Sequence, residues 1–472
     1  MRPYLWSPWE TAAADPGRIA VIADEESVTF GELVAQADAF GRGLRALGLA
    51  DGAVVATDVP TGPTFFALAL AALRHGYGLF PVHPRLFDSA VAAGLLSALA
   101  AAVHVSDRAP AGLPCPVVRP DRLAHAGAGA PGAPGASTPP RAGYLAFTTS
   151  GTTGDPQAVA RARPPRSYKG VAVDPRSGAG PDRGAHLMAN PTYHLGTLGP
   201  ALYALQAGSA VVVQRDWSPE RFAELVDRHR ADSAFLSPDR LLEVVQAGIA
   251  PRHRPAVVFH GGDACPPMVK REAIELLGPV LHEYYGTSQS VITEITTEEW
   301  LRHPGSVGRP LPGIRVEILR DGRPVAAGEL GEITVRLRAA DEGAVVPTGD
   351  VGFLDPEGYL SVIGRAERPE LLDRARLEHE IRLLPGVSDA AVLAGPESVC
   401  FVETRRGLEA DPAPAVRAAA ARLGLGVPAV LCHPAGTLPR TPSGKIRRAA
   451  LAAPAPAPAP APAAAAGAGD IG

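Results

Sequence analysis

Short apolar runs alternate with stretches of helical periodicity along this chain, and that alternation predicts α/β layering. Leu33 to Leu47 repeats apolar residues at helical spacing and stops at Gly48, with Thr29-Phe30-Gly31-Glu32-Leu33 opening the helix. Ala53 to Thr57 reads as a strand, Phe65 to Leu73 as a helix, and Leu79 to Val82 as a second strand. Gly143 to Phe147, Val211 to Val213 and Ala256 to Phe259 are apolar runs of buried-strand character. Gly328 to Val335 alternates like a strand beside a turn. Ala126 to Pro140 is nearly all Ala, Gly and Pro and reads as a surface linker. Pro454 to Pro462 alternates Ala and Pro, the pattern of an extended, disordered appendage.

With 472 residues the chain exceeds one compact core and predicts two or three domains. A net charge of −4 gives no electrostatic case for nucleic acid or an acidic membrane as partner. The four cysteines, Cys115, Cys265, Cys400 and Cys432, form no C-x-x-C pair, which argues for a reducing compartment and against structural zinc. Met1 to Trp6 has no extended apolar core, so no signal peptide is expected. Phe65 to Leu73, the longest apolar candidate, is too short to span a bilayer and ends in Arg74-His75. The composition therefore reads as that of a soluble, cytoplasmic protein.

The chemistry begins at Thr148-Thr149-Ser150-Gly151-Thr152-Thr153-Gly154, which follows the apolar run ending at Phe147. Glycines let backbone N–H groups turn inward and hydroxyls add donors, so such a loop can wrap a polyphosphate. It lacks the spacing of a Walker loop. Downstream come Gly261-Gly262-Asp263, Tyr284-Tyr285-Gly286-Thr287-Ser288-Gln289, Thr348-Gly349-Asp350, Gly364-Arg365, and Pro439-Arg440-Thr441-Pro442-Ser443-Gly444-Lys445-Ile446.

In this order the motifs resemble those of the adenylate-forming superfamily of acyl-CoA synthetases, adenylation domains and luciferases, from about the first twenty residues to Leu451. The resemblance implies a large N-terminal domain of several sheets flanked by helices over 1–365. A small, mobile α/β cap would follow over 366–451 and a tail over 452–472, with the hinge near Arg365-Ala366-Glu367-Arg368. It implies ATP and Mg²⁺ as cofactors. Thr148, Thr149, Ser150, Gly151, Thr152, Thr153 and Gly154 would hold the phosphates. Gly261, Gly262, Asp263 and Tyr285 would border adenine, while Gly286, Thr287, Ser288 and Gln289 would continue the adenine and magnesium segment. Asp350 and Arg365 would clamp the ribose, Lys445 would be the catalytic cation, and His194 would stand beside the acyl pocket. The segment from Glu298-Glu299-Trp300-Leu301 to Gly308-Arg309-Pro310 brings the chain closest to the acyl-CoA synthetase branch.

Three departures stand out against that pattern. Pro156-Gln157-Ala158 replaces Pro-Lys-Gly, removing a cation from the phosphate loop. Gln289 replaces a glutamate that ligates magnesium, so the metal's specific ligand set is unknown and its affinity should be lower. The hinge Gly364 to Asp373, followed by Glu378-His379-Glu380-Ile381, lacks the paired glycines that line the pantetheine tunnel. Three readings follow. One is an AMP-forming ligase that activates a small acid and passes it to CoA or a carrier protein. The second is a diazotase activating nitrite against an aromatic amine. The third is a degenerate nucleotide-binding relative. Intact Asp350, Arg365 and Lys445 favour an enzyme.

Overall fold

The computed structural model describes residues 7–82, 90–108, 112–128, 143–148, 158–160, 184–193, 195–287, 291–337, 345–366, 372–393, 399–405, 411–426, 429–434, 436–439 and 446–451. The chain divides into two compact units, with the boundary between Leu372 and Asp373. The expected tail and the hinge residues from Glu367 to Leu371 lie outside the described residues.

Three sheets build the first unit. In the nine-stranded sheet the strands Leu281–Gly286, Val257–Gly261, Ser233–Leu236, His186–Met188, Val211–Val213 and Ile19–Ala23 run parallel as neighbours in that order. Antiparallel strands close both sides. The six-stranded sheet sets Ala101–Val105, Val54–Thr57, Gly78–Pro81 and Tyr144–Thr148 in parallel, with Ala158–Ala160 antiparallel at its edge. Strands such as Val54–Thr57, Val211–Val213 and Ser233–Leu236 are buried along their whole length. That is why they read as unbroken apolar runs: helices cover both faces of a parallel sheet. A five-stranded antiparallel sheet completes the unit and contains Gly331–Leu337, Val345–Leu354 and Leu360–Arg365.

One core joins the two larger sheets. The helix Pro63–Arg74 is buried from Phe65 to Leu73 and packs with Val55, Leu79 and Leu145 of one sheet and Val21 and Val211 of the other. Its neighbour Phe30–Ala46 starts ahead of its apolar periodicity because Thr29 and Glu32 form a capping box: the Glu32 N–H donates to Thr29 Oγ1 at 3.2 Å and the Thr29 N–H to Glu32 Oε2 at 2.8 Å. The Ala/Gly-rich stretch read as a linker from Ala126 is helical at its start, since Pro120–Ala128 is one helix. Leu123 on that helix is fully buried, and packing against Phe30–Ala46 overrides the weak local signal.

The second unit packs the helices Leu372–Arg382 and Ala413–Arg422 on a three-stranded sheet of Val387–Leu393, Val399–Thr404 and Ala429–Pro434. Leu377, Ile381, Val392, Val402 and Val416 form its core. Among the described residues of the chain, no helix is long and apolar enough to cross a membrane.

A second core in the first unit, under the helices Pro219–His229, Pro238–Ala247 and Pro267–Leu277, is not purely apolar. Lys270 and Glu283 are both buried, with Lys270 Nζ 2.6 Å from Glu283 Oε2. His260 is wholly enclosed, and neither ring nitrogen has a hydrogen-bond partner. Burial, reinforced by Lys270 and His282, holds its pKa well below the usual histidine range. Burial likewise lowers His186 to about 3 and, with Arg45 and Arg74 helping, His75 to about 4. An unfolded histidine takes up its proton near pH ~6.5. Below that pH the unfolded chain binds more protons than the folded one, so stability falls as pH drops toward the folded values. The unfolding free energy from urea titration should therefore decline from pH 7 to pH 5. His260→Phe should flatten that decline by up to about 1.4 kcal/mol per pH unit; an unaltered slope would show that His260 takes up no proton on unfolding.

Candidate active site

The Gly261-Gly262 turn and Tyr285 lie at the carboxyl edge of the nine-stranded sheet. Gly261 ends the strand Val257–Gly261 and pairs with Tyr284 on Leu281–Gly286. A Cβ on Gly261 would stand 2.5 Å from the Tyr284 carbonyl oxygen and 3.1 Å from its ring, so only glycine allows this approach. Gly262 follows with φ +87°, turning the chain away from the sheet. Asp263 then closes the turn, its Oδ1 accepting the Ala264 N–H at 2.8 Å.

Tyr285 lies where the register between Leu281–Gly286 and Val291–Thr296 shifts, a bulge that re-aims its side chain. Its hydroxyl donates to Asp350 Oδ2 at 2.6 Å. Arg365 Nη1 donates to Asp350 Oδ1 at 2.9 Å, and the two residues face each other in register on Val345–Leu354 and Leu360–Arg365. The backbone is fixed as well. The Asp350 N–H donates to Thr348 Oγ1 at 3.1 Å, and that hydroxyl donates to the Ile333 carbonyl at 2.9 Å. Gly349 sits at φ +77°, and its carbonyl accepts the Ala366 N–H at 2.9 Å.

The Asp350 side chain is 13% exposed and that of Arg365 48%, so a sheltered carboxylate stands beside an open cation. Burial and then Asp350 raise the Tyr285 phenol far above its usual pKa, keeping it a donor. Each carboxylate oxygen offers two acceptor sites, and protein donors take one on each. Among the described residues no further donor reaches either oxygen, which leaves two sites, the number a vicinal diol needs.

The phosphate loop is described only at its start. Thr148 ends Tyr144–Thr148 and pairs with Ala158 on the edge strand. Its Oγ1 is buried and has no hydrogen-bond partner. Thr149, Ser150, Gly151, Thr152, Thr153, Gly154, His194, Ser288, Gln289 and Lys445 lie outside the described residues. The flanks of Lys445 are described within the second unit. The Arg447 N–H donates to the Pro439 carbonyl at 2.7 Å, and the Leu438 N–H to the buried Glu403 carboxylate at 3.0 Å.

Farther along the same sheet edge, Phe235 and Tyr284 stack with ring centroids 6.0 Å apart and 26° between planes. Gly196 lies against both, and any Cβ there would collide with the Tyr284 hydroxyl. Asn190 Nδ2 donates to Ser237 Oγ at 2.8 Å, tying the ends of two adjacent strands together. The sequence motifs did not single out Thr348 as the brace of Asp350, nor the buried Lys270–Glu283 pair. The signal for Lys270 was present: it lies one to seven residues from Val269, Ala273 and Leu277 on the buried stripe of its helix.

The AMP-binding enzyme family matches this chain over residues 8–340. A sulfoacetate–CoA ligase of Cupriavidus necator is 28% identical, over 95% of this chain and 94% of that protein. The amide bond synthetase McbA of Marinactinospora thermotolerans superposes with a TM-score of 0.70 at 25% identity, covering 94% of this chain and 98% of McbA. Apo MatB of Rhodopseudomonas palustris gives a TM-score of 0.77 at 21% identity, with 95% and 98% of the two chains covered, a likeness of fold.

Asp350→Ala should weaken ATP binding by about 10- to 100-fold, the loss expected for hydrogen bonds to a charged group, as read by titration calorimetry. Unchanged affinity would take Asp350 out of the nucleotide site.

Proposed function

We propose that this chain, which belongs to the AMP-binding enzyme family, is an ATP-dependent ligase that activates a small acid as its adenylate and releases pyrophosphate. The observation that carries the reading is the Asp350 carboxylate, held by Tyr285 and Arg365 beside the Gly261-Gly262 turn. That arrangement suits a nucleoside: a glycine turn with no side chain to obstruct a base, and a carboxylate with acceptor sites left for ribose hydroxyls.

In the first step a carboxylate oxygen of the acid attacks the α-phosphorus of ATP. A phosphorus–oxygen bond forms, the bond to the bridging oxygen breaks, and pyrophosphate leaves with the electron pair. Negative charge grows on the bridging and non-bridging oxygens, where fixed donors stabilise it. Thr148 begins the phosphate segment, and its unpartnered Oγ1 is a donor available at that point. We assign Lys445 as the cation at the reacting phosphate, and His194 as a wall of the acyl pocket.

Magnesium is the metal this chemistry calls for; when bound it neutralises the leaving phosphates. Thr287 and Gln289 offer neutral oxygens, which a hard cation accepts without the gain of a charged ligand. The chain's contribution to metal binding is accordingly weak, and most of the ligation would fall to the nucleotide itself.

For the acceptor, likeness to the sulfoacetate–CoA ligase supports CoA, and likeness to McbA supports an amine. A carrier-protein thiol is chemically equivalent to CoA. The absent glycine pair at Gly364 to Asp373 weighs toward a nitrogen acceptor, which needs no pantetheine tunnel. The nitrite-activating reading shares that one argument and has no other. Four cysteines outside any disulfide suit a reducing, cytoplasmic setting.

AMP and pyrophosphate release should appear with aromatic or aliphatic acids, assayed alone, with CoA, with an amine, and with nitrite plus an arylamine. Lys445→Ala should lower AMP formation by on the order of 100-fold or more while ATP still binds. Full activity in that variant would remove Lys445 from the mechanism.

A further inference from the structure

Two buried carboxylates hold the flanks of the segment that carries Lys445. On the N-terminal side the Leu438 N–H donates to Glu403 Oε1 at 3.0 Å, from the strand Val399–Thr404. On the C-terminal side Arg448 Nη2 donates to Glu378 Oε2 at 2.6 Å. Between these points the Arg447 N–H meets the Pro439 carbonyl at 2.7 Å, and Ile446 is buried with Leu438 and Ala391. The chain on either side of residues 440–445 is therefore drawn into one closed base.

The C-terminal contact is the unusual one. An arginine with 49% of its side chain in solvent ordinarily gains little from an ion pair. Here its partner is no surface acid. Glu378 is buried on the helix Leu372–Arg382, next to the core residue Leu377. Its Oε1 accepts the Val392 N–H at 2.8 Å, and its Oε2 also accepts Arg382 Nη2 at 3.3 Å. Arg382 is fixed in turn by Asp389 Oδ1 and by the Ala390 carbonyl, each at 2.7 Å. Arg448 thus ends on an acceptor already held by a helix and by the strand Val387–Leu393.

Stability alone is a poor reason for such a network. Desolvation of a buried ion pair offsets most of its attraction, and apolar residues of like volume often serve as well or better. What the network supplies is a fixed place. The packing of Ile446 is apolar and non-directional, whereas the bond from Arg448 has a set length and direction. Lys445 is three residues from Arg448, a reach of at most about 10 Å. A shift at Arg448 is therefore passed to Lys445 over a short span of chain.

We propose that Arg448 and Glu378 are positioning residues for adenylation, acting by holding the segment that presents Lys445 to the reacting phosphate. This rests on the assignment of Lys445 given above and adds the side chains through which that lysine is placed. Neither is assigned a contact with substrate.

The test uses Arg448→Met in the full chain. Glu378 keeps its bonds from Arg382 and Val392 in that variant, so the core of the second unit stays satisfied. AMP formation should fall by about 10- to 100-fold, the loss expected when a catalytic group is displaced by ~1 Å. The fall should lie in kcat, with KM for ATP little changed. Arg448→Lys should recover part of it. In a Lys445→Ala background, Arg448→Met should cause no further loss, because a residue acting through Lys445 then has nothing to place. An equal loss in both backgrounds, native kcat in Arg448→Met, or native activity in Lys445→Ala would overturn the assignment. Should no acid give AMP, the adenylating reading fails by itself, and amide exchange over residues 438–447 still decides the clamp. Faster exchange there in Arg448→Met, at unchanged global stability, upholds it; unaltered exchange rejects it.

Discussion

The Asp350 carboxylate is the contact on which the candidate site depends. It ties the five-stranded sheet to the nine-stranded one through the Tyr285 hydroxyl at 2.6 Å, while Arg365 holds it from the neighbouring strand of its own sheet at 2.9 Å. Removing it would strand a largely buried phenol without its acceptor and an arginine without its counter-charge. The hairpin has therefore been built around this one side chain. Thr348 fixes its backbone from below, Gly349 supplies the left-handed turn before it, and the register of the next strand delivers Arg365 opposite. These contacts are all made within the protein, so a ligand at Asp350 would meet a carboxylate already held in place.

Much of this arrangement could be read along the chain, for reasons that differ by element. Val211 to Val213 and the run at Ala256 to Phe259 were legible because a strand covered on both faces has no polar position to blur it. The helix at Phe65 to Leu73 was legible by its length, and its ends, Pro63 and Arg74, lay beyond the apolar run that marked it. The strand expected at Leu79 to Val82 is displaced by one residue, within the ordinary uncertainty of an element's ends. The linker reading failed at Ala126 to Ala128 because composition cannot register Leu123, whose burial holds that helix to its neighbour.

The site was legible in its parts and not in its joins. Asp350 and Arg365 announced themselves through the motifs around them, fifteen residues apart, and antiparallel pairing turns that separation into direct opposition. The third member was less accessible. Tyr285 reaches Asp350 from 65 residues away, by way of a bulge whose presence no local pattern signals.

The buried Lys270–Glu283 pair has a thermal meaning. Glu283 sits on the strand that carries Tyr285, and Lys270 on the helix entered from the Gly261-Gly262 turn, so their contact clasps that strand to that helix. Holding two charges out of water is expensive in the cold and becomes less so on warming, because hydration of ions grows weaker as temperature rises, whereas apolar burial levels off. Among the forces that keep these segments together, this clasp is the one whose relative weight increases with heat. As the protein warms, the join between this strand and this helix should lose less of its strength than the purely apolar contacts around it.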